Sequence, residues 1–215
     1  MTGLNKDHLF PKRLFIAGTD TGIGKTMISA ILTAGLSGFY WKPIQSGLDE
    51  MTDREWIFEK AGLPESHFFH ETYRLTLPLS PHSAALHDGI RINLDSFHIP
   101  GIPESDHLII EGAGGVMAPL NEKDLMTDLM KRLDAPILLV SRSSLGTINH
   151  TLLSLEQLRR EGLDVLGVIM NGPRNQANRE AIEHYGRVRV LAEIEPIPDI
   201  DPQNLKRIFD NHFGS

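Results

Sequence analysis

The chain has 215 residues, a formal net charge of −7 and no cysteine. Its length suits one α/β domain with a full core, its negative charge argues against nucleic acid as a partner, and the lack of cysteine excludes disulfides, thiolate metal sites and cysteine nucleophiles. The N-terminal stretch MTGLNKDHLFPK has no long apolar segment and no run approaches the roughly 18 apolar residues of a membrane span. We therefore expect a cytoplasmic protein with no membrane partner.

Short apolar runs alternate with helix-length amphipathic stretches along the chain. The apolar runs are continuous, which predicts strands covered on both faces. Strand–helix alternation of this kind predicts an α/β fold with a mostly parallel sheet and right-handed crossovers. The predicted strands are 13–18, 39–44, 106–112, 135–141, 164–170 and 188–194, and the predicted helices are 25–36, 53–61, 125–133, 147–161, 177–185 and 204–213.

Residues 62–105 depart from this rhythm. They are rich in proline and histidine, with LPLSPHSAALHDG in the middle, and their periodicity is poor. A long excursion inside a compact domain is usually functional or disordered, and the sequence leaves both alternatives open. No repeat or linker divides the chain, so we predict a single domain over 1–215.

The loop after the first predicted strand reads GTDTGIGKT, at 18–26. A strand followed by glycines and by Gly24-Lys25-Thr26 at a helix start points backbone N–H groups at a phosphate. Lys25 would neutralise charge on the outer phosphates, and Thr26 would place its hydroxyl on Mg²⁺. The first glycine stands one residue earlier than the usual phosphate-loop pattern requires. The structural alternative is a strand–helix turn whose glycines serve backbone geometry alone.

Polar residues also lie at the ends of other predicted strands and at the start of a predicted helix. Lys42 is held extended by Pro43 and could stabilise a substrate anion or a transferring phosphoryl group, with Ser46 bonding the same ligand. Taken alone, a lysine at a strand end is usually a solvated surface charge. Glu111 stands where P-loop enzymes carry a second Mg²⁺ residue, usually Asp, and a structural turn is the alternative. Asp53, taken alone, is better explained as an N-cap or first-turn acid.

Other chemistry finds little support in the sequence. The ten histidines show no HxxxH or HExxH spacing on a convincing helix, which argues against a transition metal. For SPHSAA, helix capping by Ser80 or Ser83 explains the residues as well as ligand contact does. The serines lack a nucleophile-elbow context, so acyl transfer is unsupported.

Five stretches together resemble the dethiobiotin synthetase family in the family's order. They are GTDTGIGKT at 18–26, KPIQSG at 42–47, SPHSAA at 80–85, EGAGG at 111–115 and LGTINH at 145–150. The unusual leader GTDT belongs to that family's form of the loop. The resemblance implies a P-loop fold and an ATP- and Mg²⁺-dependent enzyme. Its reaction would carboxylate 7,8-diaminononanoate with CO₂ and close the ureido ring, through a carbamate and a carbamic-phosphoric anhydride.

The resemblance also implies a role for each matching residue. The nucleotide would be held by Thr21, Gly22, Ile23, Gly24, Lys25, Thr26, Met27, Asp53, Glu111, Gly112, Ala113, Gly114 and Asn171, of which Asn171 matches an adenine-reading asparagine. Mg²⁺ would be bound by Thr26, Asp53 and Glu111, which replaces the simpler explanation of Asp53. Lys25 and Lys42 would be catalytic, and Lys42 and Ser46 would contact the substrate. Its tail carboxylate would be held by Gly146, Thr147 and Asn149 of the opposite subunit, so a homodimer is implied.

Two other classes share this fold. A cobyrinate-type amidating synthetase normally carries a glutaminase domain with a nucleophilic cysteine, for which this chain has neither the length nor the residue. A dimeric switch ATPase of the cell-division regulator type expects a lysine where Asp20 stands. One departure from the synthetase family lies in 191–198, near the adenine, which leaves nucleotide selectivity open.

Overall fold

The computed structural model describes residues 10–214. Positions 1–9 of the N-terminal stretch MTGLNKDHLFPK lie outside the described residues. The strands are β1 (Arg13–Gly18), β2 (Phe39–Trp41), β3 (Ile44–Ser46), β4 (Phe68–Phe69), β5 (Tyr73–Leu75), β6 (Leu108–Glu111), β7 (Ile137–Arg142), β8 (Val165–Asn171) and β9 (Val190–Ile194). The helices are α1 (Lys25–Leu36), α2 (Asp53–Ala61), α3 (Pro81–His87), α4 (Met126–Leu133), α5 (Thr147–Arg160), α6 (Gln176–Gly186) and α7 (Pro202–Phe213). No helix within residues 10–214 is long and apolar enough to cross a membrane.

Seven of these strands form one parallel sheet in the order β4-β2-β6-β1-β7-β8-β9. The chain enters at β1, in the middle. Its next strands in this sheet, β2, β4 and β6, all lie on one side of β1, with β6 inserted between β2 and β1, before β7 begins the other side. Ligands in open α/β sheets bind at the carboxyl ends of strands where the order reverses in this way. The predicted α/β fold with a mostly parallel sheet is confirmed.

Helices cover both faces of the sheet, as continuous apolar strands predict. In β1, Leu14 and Ile16 pack in a core with α1, α2 and α7. The alternating residues Phe15 and Ala17 pack on the opposite side, in a core with α3, α4, α5 and α6. Because successive strand side chains point to opposite faces, each strand contributes to both cores. The two layers fix the carboxyl ends of the strands from both sides.

The predicted strand 39–44 is wrong as a single element. β2 ends at Trp41 in the main sheet, and β3 begins at Ile44 in a separate two-stranded parallel sheet with β5. Pro43 lacks a backbone N–H and cannot continue a ladder, so the chain changes sheets there. This break places Lys42 at the end of a central strand with its side chain directed into the molecule, where it is 6% exposed.

The segment 62–105 is ordered into short elements that periodicity did not reveal. It contains β4, β5 and α3, together with 3₁₀ turns at Glu65–His67 and Leu94–Ser96. Strands of two or three residues are too short to show a period, and they are specified by pairing with β2 and β3. Elsewhere the predicted elements lie within a few residues of the observed ones, and helices 25–36 and 53–61 match α1 and α2.

Replacement of Gly35 by alanine should destabilise the protein by about 1–3 kcal/mol, the usual cost of overpacking a core. Gly35 lies in α1 where α7 crosses it, and an added Cβ would overlap the buried ring of Phe209. Urea unfolding measures the change. Gly101→Ala is the control, because no heavy atom lies within 4 Å of the added Cβ there. Equal stability of the two variants would contradict the close α1–α7 packing.

Candidate active site

A cavity of about 790 Å³ opens at the carboxyl ends of β1, β2 and β6. The phosphate loop and the segment that precedes α3 both contribute to its lining. Its lining residues are Thr21, Gly22, Gly24, Lys25, Thr26, Lys42, Gln45, Ser46, Asp53, Pro78, Leu79, Ser80, Pro81, Glu111, Ala113, Gly114, Gly115, Ala118 and Pro119. The structure thus brings four of the five family-like stretches together in one cavity.

The loop that leads into α1 has the backbone of a phosphate cradle. Gly22 and Gly24 have φ values of 68° and 97°, in the left-handed region that glycine tolerates best. At Gly24 there is also no room for a side chain, because an added Cβ would overlap the amide of Asn171. The Asn171 Nδ2 donates a hydrogen bond of 2.9 Å to the carbonyl of Ile23. Asn171, at the end of β8, therefore stabilises the loop by a hydrogen bond to its backbone.

Lys25 is folded back onto the loop. Its Nζ donates to the carbonyl oxygen of Asp20 at 2.9 Å, and the residue is only 7% exposed. Burial lowers the pKa of Lys25 to about 8, an effect that outweighs the neighbouring carboxylates of Glu111 and Asp53. The Asp20 carboxylate accepts from the backbone N–H of Thr21 at 2.7 Å. This lysine is held at the cavity wall without a strong counter-charge.

Oxygen atoms from three elements converge beside Lys25. The Thr26 Oγ1 lies 2.7 Å from Asp53 Oδ1 and 2.9 Å from Glu111 Oε1. The Thr26 hydroxyl carries one proton and can donate to only one of these two carboxylates. The other carboxylate therefore needs another donor, and the two negative charges need positive charge nearby. Two carboxylates and a hydroxyl are the hard oxygen donors that Mg²⁺ prefers.

The ammonium of Lys42 supplies that positive charge in this structure. Its Nζ forms ion pairs with Asp53 Oδ2 and, at 3.0 Å, with Glu111 Oε1. Burial by itself lowers the pKa of Lys42, but the two carboxylates outweigh it and raise the pKa above its usual value. Burial likewise opposes ionisation of Asp53, yet Lys42 and Thr26 lower the pKa of its carboxyl. The three groups therefore form a charged network in which the ammonium of Lys42 bridges the carboxylates of Asp53 and Glu111.

Asp53 is not the cap of its helix. Thr52 caps α2, its side chain accepting from the backbone N–H of Glu55, whose carboxylate accepts from the N–H of Thr52 in return. Asp53 is the first residue inside α2, and its carboxylate is free to reach Thr26 and Lys42. The N-cap alternative is thus wrong for Asp53, and its position in the first turn is right.

Two polar side chains that orient these acids were missed in the sequence. Tyr40 donates from its hydroxyl to Glu111 Oε2 at 2.9 Å, and burial followed by the nearby Glu111 charge raises its pKa well above the usual value. Gln45 Oε1 accepts from the backbone N–H of Asp53 at 3.4 Å. The only sequence signal for Tyr40 is its place two residues before Lys42, on the same face of the extended chain.

Two serines, Ser46 and Ser80, also line the cavity. Ser46 lines the cavity, and its buried Oγ has no hydrogen-bond partner among residues 10–214. A buried hydroxyl without a partner is costly unless a ligand or water completes it. Ser80 stands at the start of α3, but its side chain bonds His82 and Ser83 rather than capping the helix backbone. The capping explanation of Ser80 is therefore wrong, and the residue lies at the cavity.

Some predicted site residues lie outside the cavity lining. Ile23 and Met27 face the core beneath the loop, and Gly112 packs against the ring of Phe15. The segment 146–149 lies at the start of α5, where the Thr147 hydroxyl and N–H donate to Arg142 and Ser144 carbonyls at 2.5 and 3.2 Å. The structure does not bring Gly146, Thr147 and Asn149 to the cavity of the same chain.

The fold and the site together define a class. A parallel sheet whose central strand leads through a glycine loop into Lys25 and Thr26, with an acid at the end of the neighbouring strand, is the framework of P-loop nucleotide-dependent enzymes. Among solved structures, the chain is similar to a ParA family ATPase from Chlorobium tepidum TLS, with a TM-score of 0.54, 13% identity and 94% and 91% of the two chains covered. It is also similar to the MinC:MinD cell division protein complex of Aquifex aeolicus, with a TM-score of 0.50, 12% identity and 92% and 86% covered. At these identities the likeness shows the fold alone.

Sequence comparison identifies the family. A family model described as an AAA domain matches residues 12–204. The ATP-dependent dethiobiotin synthetase BioD of Paramagnetospirillum magneticum is 51% identical over 87% of this chain and 89% of its own length. The protein of the same name from Brucella melitensis biotype 2 is 45% identical over 94% of each chain. The chain belongs to the dethiobiotin synthetase family and is an enzyme of biotin biosynthesis.

Proposed function

We propose that this enzyme binds ATP with Mg²⁺ and converts 7,8-diaminononanoate and CO₂ into dethiobiotin, ADP and phosphate. The observation that carries the proposal is the cavity itself, which is lined by the phosphate loop, by Lys42 and by Ser46, whose buried hydroxyl has no hydrogen-bond partner among residues 10–214. A side-chain cation beside a phosphate loop can stabilise the negative charge of an anion that attacks a phosphoryl group. The relatives named above are ATP-dependent dethiobiotin synthetases, which supports ATP as a substrate and dethiobiotin as the product here.

The chemistry needs no nucleophile from the protein. One amine of the substrate adds to CO₂ and loses a proton, which gives a carbamate. A carbamate oxygen attacks the γ-phosphorus of ATP, and the bond to ADP breaks. The second amine attacks the carbon of this mixed anhydride, loses a proton and expels phosphate, which closes the ring. Positioning and charge stabilisation supply the rate, and these are what Lys25, Lys42 and the loop amides offer.

The two lysines have different tasks in this proposal. Lys25 exchanges the Asp20 carbonyl for the outer phosphates of ATP, which offer its ammonium a far stronger partner. Lys42 pairs with the carboxylates of Asp53 and Glu111 and lines the same cavity as Ser46. From there its ammonium stabilises the negative charge of the carbamate and of the transferring phosphoryl group. Ser46 donates to the carbamate or accepts from an amine at the reacting end.

The donor set fits a magnesium ion. Thr26, Asp53 and Glu111 would hold it, since their oxygens already converge and already hold a cation, the ammonium of Lys42. Bound there, Mg²⁺ supplies charge neutralisation on the phosphate oxygens. The Asp53 and Glu111 carboxylates would then bind Mg²⁺ in place of the Lys42 ammonium. The ammonium would be free to contact the substrate.

A homodimer would complete the site for the substrate tail. The start of α5 lies away from the main cavity, and a helix start leaves backbone N–H groups available to a carboxylate. Around it are exposed apolar side chains, with Leu145 100%, Leu153 63% and Met117 48% exposed. Such a surface favours association with a second copy that brings its α5 towards this cavity. Sedimentation equilibrium gives the subunit number.

One assay tests the proposed function. The protein is incubated with ATP, Mg²⁺, bicarbonate and 7,8-diaminononanoate, and dethiobiotin is sought by mass spectrometry while ADP is measured. We expect dethiobiotin and ADP in equal amounts, and no ADP when the diamine is omitted. ADP formation that is independent of the diamine would contradict the proposal and favour the switch-ATPase alternative.

The pH dependence of ATP binding should report on Lys25. Because the pKa of Lys25 is about 8, its ammonium loses its proton above that pH in the free protein. Phosphates bind the ammonium, so binding must restore the proton, and affinity should weaken as pH rises above about 8. Above pH 8 we therefore expect ATP binding to take up protons.

Calorimetry in buffers of different ionisation enthalpy measures this uptake. Lys25→Arg is the matched control, because a guanidinium keeps its charge at every accessible pH and should remove the proton uptake. If the uptake between pH 8 and 9 were the same in both proteins, Lys25 would not be its source.

A further inference from the structure

The orientation of Glu111 is set by one buried hydroxyl. Glu111 has no exposed surface, and its two oxygens face different partners. Oε2 accepts from the Tyr40 hydroxyl at 2.9 Å, while Oε1 accepts from Lys42 at 3.0 Å and lies 2.9 Å from Thr26 Oγ1. Only Oε1 therefore faces the group of oxygens and charges that meets at the phosphate loop.

Strand pairing places Tyr40 in reach of Glu111. β2 and β6 are parallel neighbours in which Tyr40 lies opposite Ile109. Glu111 follows Ile109 by two residues, so its side chain lies on the same face of the sheet as that of Tyr40. The Tyr40 ring is fully buried, packing 6.4 Å from the ring of Phe68, which fixes the position of its oxygen.

A glutamate at this place needs such an anchor more than an aspartate would. P-loop enzymes usually carry Asp here, and Glu has one more rotatable bond between backbone and carboxylate. Without a partner on Oε2, the carboxylate could turn and present either edge to the cavity. A hydrogen bond from a fixed phenol removes that freedom and keeps one oxygen available.

We propose that Tyr40 is a positioning residue for cation binding, holding the Glu111 carboxylate so that Oε1 faces the site made with Thr26 and Asp53. This inference rests on the proposed function, since it assigns the cation of that reaction to these oxygens. Tyr40 itself touches neither substrate nor cation. Partners of metal-bound carboxylates typically change metal affinity by 10–100-fold when they are removed.

Tyr40→Phe tests the proposal, because it removes the hydroxyl and keeps the buried ring. Mn²⁺ is titrated into the protein with a non-hydrolysable ATP analogue, and bound metal is followed by electron paramagnetic resonance. We expect the Kd for Mn²⁺ to rise by at least about tenfold, with little change in the affinity for the analogue measured without metal. The Mg²⁺ concentration for half-maximal turnover should rise in step, and excess Mg²⁺ should restore kcat.

Tyr73→Phe is the matched control. It removes a hydroxyl that accepts from the backbone N–H of Asn93 at 3.0 Å, outside the cavity lining, and should leave the Mn²⁺ affinity unchanged. An unchanged Mn²⁺ affinity in Tyr40→Phe would overturn the inference, as would a loss of kcat that excess Mg²⁺ does not restore. If the wild-type protein bound no Mn²⁺ with the analogue, the proposed cation site would fail, and the role of Tyr40 with it.

Discussion

Replacement of Lys42 by methionine should lower kcat by at least about 10²–10³-fold, the usual effect of removing a group that stabilises a transition state electrostatically. Methionine keeps most of the length of the side chain and removes the charge. The nucleotide should still bind, because the loop amides and Lys25 do not depend on Lys42. Steady-state assays with the diamine give kcat, and calorimetry with an ATP analogue and Mg²⁺ gives the affinity.

Lys42→Met should also alter the response to metal. Without the ammonium, Asp53 and Glu111 lie close together with no cation between them, so Mg²⁺ should raise the melting temperature of the variant more than that of the wild type. Lys131→Met is the control, since Lys131 pairs with Glu161 on the surface and should behave as the wild type does. If Lys42→Met lost ATP affinity to the same extent as kcat, Lys42 would be a nucleotide ligand rather than a group acting on the reaction.

Glu111→Gln should reduce turnover by a comparable factor of about 10²–10³ through a different step. The amide keeps the shape of the side chain and removes its charge, so the site loses an ionised Mg²⁺ ligand and Lys42 loses one of its two partners. We expect the Mg²⁺ concentration for half-maximal turnover to rise strongly, whereas Lys42→Met should not raise it. A Mg²⁺ titration of activity at saturating ATP separates the two variants.

Glu71→Gln is a suitable control for that experiment. Its side chain is also fully buried and pairs with Arg74 at 3.0 Å, but it does not line the cavity. A wild-type Mg²⁺ dependence in Glu111→Gln would remove Glu111 from the cation site.

The features that short-range chemistry specifies were predictable. The spacing of Gly24, Lys25 and Thr26 indicates the phosphate loop, and continuous apolar runs indicate the buried strands. Because parallel strands end at one edge, the sequence places Lys42 and Glu111 near that loop. Only the structure shows that the charges of Lys42 and Glu111 come within 3.0 Å of each other. It also shows that Lys42 lies between two acids.

The remaining features depend on contacts between distant segments. Pro43 predicts a limit to strand pairing, because it lacks a backbone N–H. The second sheet after it forms only because β5, a distant segment, pairs with β3. Asp53 looks like an ordinary first-turn acid until α2 is placed against α1. Tyr40 looks like one more apolar strand residue, and only the register between β2 and β6 turns its hydroxyl towards Glu111.

The fate of the CO₂ oxygens shows whether a carbamate attacks ATP. In the proposed reaction a carbamate oxygen, which comes from CO₂, attacks the γ-phosphorus and leaves as part of the phosphate. With CO₂ labelled by heavy oxygen, in a reaction brief enough to limit exchange with water, each phosphate released should carry one labelled atom, and the ADP should carry none. Phosphate without the label, formed together with dethiobiotin, would contradict the carbamic-phosphoric anhydride and the role given to Lys42.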